Sequence, residues 1–234
     1  MEQTPRGVAK VKPTIGIGYT TYKRDDLLQE CLDNLRLNTT SDYKLHIARD
    51  TDDDRRGIAL RKNECLHHLQ DCDYIFLFDD DCYPIKKGWE VFVIDAHIKS
   101  GEHHFAYLKD SIHTAKNYYF CGNKTTMSFV TCGGVFLSIT KECLKKVGGF
   151  WDEYDLYGFE HYGYSFRAFQ AKLNSDLFMS IEGLDEYLFA YDYEDKNFQS
   201  TIPLEQRIEM SEKGKKLFAL DAEVIWKPIV YEKK

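Results

Sequence analysis

The 234-residue chain has no apolar run approaching the roughly 18 residues that a membrane-spanning helix needs. Its first residues, Met1 to Lys12, lack the apolar core of a secretion signal. It has no surplus of positive charge. With 31 Lys and Arg against 38 Asp and Glu, the net charge is −7, which gives no global attraction to nucleic acid or anionic lipid. No C-x-x-C pair occurs. Seven cysteines, at 31, 65, 72, 82, 121, 132 and 143, are odd in number and lie mostly among apolar neighbours. That excludes a disulfide framework or a cysteine zinc site, and points to buried thiols in a reducing, cytoplasmic setting. There is no internal repeat and no linker-like shift in composition, so a single domain is expected. A chain that is 43% apolar and 29% charged is neither disordered nor a membrane protein by composition.

What the chain does hold is one stretch around which the rest can be arranged. Tyr74-Ile75-Phe76-Leu77-Phe78 is an unbroken run of bulky residues that stops at Asp79-Asp80-Asp81. Such a run reads as a strand buried on both faces, and Pro84 places its end earlier. The three acids then stand where a central strand leaves the sheet, which is where open α/β sheets bind ligands. Alternation along a strand puts Asp79 and Asp81 on one side and sends Asp80 elsewhere. Three adjacent carboxylates repel one another and invite a cation. Their hard oxygens suit Mg²⁺ or Mn²⁺, held jointly with phosphate oxygens.

Around this strand, periodicities alternate. Thr14 to Tyr19 reads as a first strand. Asp26 with Gln29 gives a capping-box-like helix start, followed by a stripe of Leu27, Leu28, Cys31, Leu32 and Leu35. Lys44 to Arg49 reads as a second strand, and Ile58, Ala59, Cys65, Leu66 and Leu69 mark a second helix. Strand–helix–strand–helix–strand implies a parallel, right-handed α/β half. Downstream, Trp89 to Ala96 reads as helix and His104 to Leu108 as strand. Residues 110–128 read as irregular loop or hairpin, and Phe129 to Ile139 as a strand interrupted by Gly133-Gly134. A short helix, Thr140 to Val147, precedes an aromatic–acidic loop. Helical spacing over Phe159, Tyr162, Phe166, Phe169 and Leu173, then a strand from Leu177 to Ile181, come next. A charged helix follows from Leu204 to Leu220, then a late strand or extended tail from Val224 to Val230.

The order of these pieces resembles the GT-A glycosyltransferase fold, in particular the family 2 type, over roughly residues 13–180. The resemblance rests on Ile15 to Arg24, on Gly57-Ile58-Ala59-Leu60-Arg61-Lys62-Asn63, and on Asp79-Asp80-Asp81 as a D-x-D motif. It rests also on Gly133-Gly134-Val135-Phe136, Val147-Gly148-Gly149-Phe150, and Gly158-Phe159-Glu160-His161. It implies a mainly parallel, Rossmann-like central sheet flanked by helices, with a smaller acceptor-side sheet. It divides the one domain into a nucleotide-binding half (13–84), an acceptor half (85–203) and a C-terminal helix and tail (204–234). It implies a nucleoside-diphosphate sugar donor, a UDP-sugar favoured, Mn²⁺ or Mg²⁺, and a glycan or other hydroxyl acceptor. The acidic balance argues against nucleic acid as that acceptor.

The resemblance also places residues. Thr20, Thr21, Arg24, Asp79 and Asp80 fall to the donor, and Asp50 or Asp52 to its base. Asp50, Asp52 and Asp54 match the first ligand spacings of a calcium loop, but Arg55 and Arg61 stand where Gly and Glu are required. Arg61 and Asn63 are two apart on a helix and do not share a face, so one of the two reaches the diphosphate. Asp81 and Asp79 fall to the metal. No His follows His161 to complete the site, which leaves Asp192, Glu194 or water. Gly134, Trp151, Asp152 and Tyr157 fall to the acceptor wall. In inverting relatives the acid after the Glu is the base that deprotonates the acceptor; here His161 stands in its place. An imidazole, titrating near about 6.5 in water, can do that work, and a helix start favours its neutral form. Either His161 is the base or Glu160 is, with His161 binding acceptor or phosphate; a retaining enzyme would need neither. A catalytically inactive nucleotide- or glycan-binding module and a nucleotidyltransferase are the rival readings. The latter lacks here a Gly-rich phosphate loop ending in a basic residue.

Overall fold

Two glycines let the first half of the chain close-pack. β1 (Ile15–Tyr22) turns Ile15, Ile17 and Tyr19 to one face, where α1 (Asp25–Asn38) lays down Leu28, Cys31, Leu32 and Leu35. Its other face carries Gly16 and Gly18, and β2 (Lys44–Asp50) leads from α1 into α2 (Ile58–Leu69), which settles on that face. A Cβ on Gly18 would stand 2.7 Å from the Cβ of Cys65. With both faces covered, β3 (Tyr74–Asp79) is apolar up to its last residue: Phe76 and Phe78 join the α1-side core, and Ile75 and Leu77 the α2-side core.

The computed structural model describes residues 12–109, 113–154, 156–195 and 197–223. The tail expected over 224–230 lies outside them. β4 (Cys82–Pro84), α3 (Trp89–Ser100) and β5 (His104–Ala106) follow. Then come the hairpin β6 (Ala115–Cys121) and β7 (Lys124–Phe129), β8 (Phe136–Thr140) and α4 (Lys141–Val147). A one-turn 3-10 helix (Asp152–Tyr154) precedes α5 (Glu160–Gln170), β9 (Met179–Ile181), β10 (Leu188–Ala190), α6 (Tyr191–Glu194) and α7 (Leu204–Glu223). The central sheet runs β2-β1-β3-β8-β5, parallel across β2, β1 and β3 and antiparallel at β8 and β5. A smaller antiparallel sheet, β6-β7-β9, lies on the acceptor side.

β3 ends at Asp79, before Pro84 as expected, and Pro84 itself pairs with Leu188 in the short β4–β10 ladder, a two-stranded edge where a missing N–H is tolerated. Two local expectations are corrected. Asp26 and Gln29 form no capping box, because α1 starts one residue earlier and its cap, Arg24, makes no side-chain cap bond. Phe129 to Ile139 is not one strand: β7 ends at Phe129, and Gly133-Gly134 lies in the loop before β8.

The topology sets the site. β1, β2 and β3 end together at Tyr22, Asp50 and Asp79, while antiparallel β8 starts beside them, with Phe136 opposite Phe78. The tight β1–α2 contact gives a direct check. Gly18→Ala should destabilise the protein by about 1–3 kcal/mol, the usual cost of overpacking, as a lowered thermal midpoint.

Candidate active site

At this carboxyl edge lies a cavity of about 310 Å³. Thr20, Thr21 and Arg24 reach it from the end of β1, Asp50 from β2 and the three acids from β3. Gly134 borders it from the loop before β8, Tyr157 and the Glu160-His161 pair from the α5 entry, and Asp192 from α6.

The acids converge rather than alternate, because β3 ends at Asp79 and the chain turns at once. The Thr20 hydroxyl donates to Asp79 Oδ1 at 2.9 Å, and that of Thr21 to Asp80 Oδ2 at 2.6 Å. Arg24 Nη1 lies 3.1 Å from Asp80 Oδ1 and 3.3 Å from Asp81 Oδ2. Asp80 therefore does not point away. Asp81 is 6% exposed, and its Oδ1 is buried without a hydrogen-bond partner. Burial, then the charges of Asp79, Asp192 and Asp80, push its carboxyl up to about 8, against the opposing pull of Arg24. Burial and Asp79 likewise raise Asp192. An orphaned carboxylate oxygen facing like charges fits a divalent cation. Among the described residues no three His, Cys, Asp or Glu side chains form a ready-made cage. Such an ion would complete its shell with water and phosphate oxygens, as Mg²⁺-type sites do.

Opposite the acids, a charged pair is buried deeper. Lys62 is fully buried, and its amine lies 3.3 Å from Asp79, 3.0 Å from Glu160 and 2.9 Å from the Gly134 carbonyl. Burial would lower the lysine, but Asp79 and Glu160 outweigh it and hold it charged. Burial would likewise raise Glu160; the charges of Lys62 and His161 reverse this and keep it well below the usual carboxylate range. An ionised carboxylate only accepts hydrogen bonds. His161 Nδ1, 3.1 Å from Glu160 Oε1, is therefore the donor, and in the neutral imidazole this leaves the lone pair on Nε2. The ring lies against Gly134, where an added Cβ would stand 2.8 Å from Nδ1.

Other predicted residues are dispersed. Arg61 lines the cavity but is held by Asp50, Asp54 and Glu64. Asp50 in turn accepts from the backbone of Arg56 and Gly57, so it organises its own loop. Asn63 does not reach the cavity; its amide donates to the Phe150 carbonyl and accepts from the Phe150 N–H, clamping two segments together. Asp52 is exposed and pairs with Lys23. Trp151 packs on Tyr154, and neither Trp151 nor Asp152 borders the cavity, whereas Tyr157 does. Glu194 pairs with Lys109 and leaves Asp192 as the acid of that segment on the wall. Sequence reasoning missed Lys62, Tyr22, Arg55, Tyr193 and Arg207. Lys62 carries no local signal, since a lysine beside Arg61 on a helix reads as surface.

No family model matches the chain. Over 137 residues it is 27% identical to an uncharacterized glycosyltransferase of Acanthamoeba polyphaga mimivirus, covering 56% of this chain and 53% of that protein. The chain thus spans about half the length of the curated relative it matches. Its structure is similar to the mannosyltransferase PcManGT from Pyrobaculum calidifontis, solved with GDP-Man and Mn²⁺. The TM-score is 0.51 at 15% identity, over 68% of this chain and 52% of that one. It is also similar to S. aureus TarS, with a TM-score of 0.55 at 14% identity, over 92% of this chain and 40% of that one. The chain has the GT-A fold.

The raised Asp81 has a thermodynamic consequence. Below about pH 4 both folded and unfolded states are protonated there. As pH rises towards about 8, the unfolded state ionises while the folded state keeps its proton, so metal-free stability falls. Asp81→Asn should remove this loss. Its thermal midpoint in chelator should exceed that of the wild type by an amount that grows across this pH window and reaches at least about 2–4 °C, the equivalent of 1 kcal/mol.

Proposed function

We propose that the chain is a metal-dependent glycosyltransferase that moves a sugar from a nucleoside diphosphate to an acceptor hydroxyl with inversion. The observation that carries this reading is one cavity with a surplus of buried carboxylate on one wall and an oriented Glu160–His161 pair on the other. The mimivirus relative and the GDP-Man and Mn²⁺ bound to PcManGT support it.

In this reading Asp81 and Asp79 hold a divalent cation, Mn²⁺ or Mg²⁺, with Asp192 as a third carboxylate. When bound, the ion neutralises the leaving diphosphate as a Lewis acid. Thr20 and Thr21 keep Asp79 and Asp80 in place. Glu160, held ionised by Lys62, is too weak a base to take a proton from a hydroxyl. It instead fixes the tautomer of His161 and stabilises the imidazolium that forms. His161 Nε2 takes the acceptor proton as the hydroxyl attacks the sugar. Gly134 leaves space for the ring, and Tyr157 borders the acceptor side. The acceptor class is a glycan or another hydroxyl compound. No described helix is long and apolar enough to cross a membrane. Seven unpaired thiols, six of them buried, support a reducing, cytoplasmic setting.

Two variants separate the roles. Asp81→Ala should abolish release of nucleoside diphosphate from the donor while the protein stays folded; normal turnover without metal would sink the central claim. His161→Ala should lower kcat by about 10²–10⁴-fold, the range for general bases, with donor KM changed little. Unchanged turnover would remove His161 from the reaction.

A further inference from the structure

One arginine on the cavity wall has a buried Nε with no hydrogen-bond partner among the described residues. Among the basic side chains there, Arg24 is engaged by Asp80, Asp81 and the Gln199 carbonyl. Arg61 is engaged by Asp50, Asp54 and Glu64. Arg55 lies over the Tyr22 ring, 4.0 Å from its centroid, and donates to its hydroxyl. Arg207, from the first turn of α7, borders the same cavity, yet its side chain donates to no acceptor among the described residues, and its Nε is buried. A buried guanidinium N–H without an acceptor costs stability, and a cation in the first turn opposes the helix dipole. Neither cost is explained by packing. Both are relieved if an anion enters the cavity beside it.

Charge balance says which anion. Resting on the glycosyltransferase reading, Asp79 and Asp81 already offset the charge of a bound dication. The donor diphosphate then keeps its own charge and gains more as the sugar bond breaks. Arg24 and Arg61 are committed to carboxylates, so that charge needs another partner. A guanidinium fork matches phosphate oxygens in pairs. We propose that Arg207 binds the diphosphate of the donor and stabilises it as it leaves. Helix α7 thereby becomes part of the donor site. Asp192 feels the charge of Arg207, and both side chains border the same cavity.

The test compares wild type, Arg207→Gln and Arg207→Lys by calorimetric titration with Mn²⁺ present. The probes are matched di- and monophosphates of uridine, guanosine, cytidine, adenosine and thymidine. Thermal midpoints of the unliganded proteins check that each variant is folded. Arg207→Gln should weaken diphosphate binding by about tenfold or more, or 1.4 kcal/mol, and leave monophosphate binding within about twofold. Arg207→Lys should recover part of the loss. Equal diphosphate affinity in Arg207→Gln and wild type would overturn the assignment, as would equal losses for mono- and diphosphates, which indicate a structural role. Failure of the wild type to bind any of these nucleotides would instead overturn the glycosyltransferase reading itself.

Discussion

The amine of Lys62 is the contact on which the two halves of the molecule depend. It lies out of reach of solvent between Asp79, at the end of β3, and Glu160, at the start of α5, and also donates to the carbonyl of Gly134. A lysine taken fully out of water is tolerated only with such partners, and a pair of this kind is costly to break, because the survivor is left as an uncompensated charge. The bond therefore holds the carboxyl edge of the sheet against the start of α5 at a set distance. Asn63, one residue on, does the same work in neutral form by clamping the backbone of Phe150. Two consecutive residues of α2 thus tie the parallel part of the sheet to the segments around Phe150 and α5, one with a charge and one with an amide.

Charge at the site is divided unevenly, and the division has chemical content. Glu160 is over-compensated by Lys62 and His161 and stays ionised, which suits a group that orients an imidazole. Asp81 is under-compensated, with Arg24 opposing three carboxylates, and tends towards its protonated form when nothing else is bound. Carboxylates with such different environments serve different ends: one positions, the other waits for a counter-charge. An arrangement that is locally unfavourable and survives in an otherwise well-packed fold is a mark of function.

Much of this was legible in the chain. The unbroken apolar run before Asp79 announced a central strand, because only a strand covered on both faces can be apolar at every position. The alternation of strand and helical periods announced the parallel half, and the position of the acids at its edge followed from topology. The segment from β4 to α7 was less legible. Its strands are short, and several pair with partners far away in sequence, as β4 does with β10 and β3 with β8. Asn63 and Trp151 were misplaced for one reason: a residue's local preference does not say which distant backbone it will meet.

Composition, period and order by themselves determined the α/β class, the course of β1 to β3, the acidic turn and the existence of a helix after Phe159. These are properties of neighbouring residues, settled by where the chain must hide apolar surface and end its strands. Only the tertiary structure decided that Lys62 is buried, that Asp80 turns inward with Asp79 and Asp81, that Asn63 leaves the cavity, and that Arg207 joins it from a helix far along the chain. Each of those depends on a partner distant in sequence, such as Glu160 for Lys62, Thr21 for Asp80 and Phe150 for Asn63, or on a cavity built from many segments, so no periodicity carries it. The electrostatics of the site belongs to that second group, because a charge acquires its character from whatever the fold places beside it.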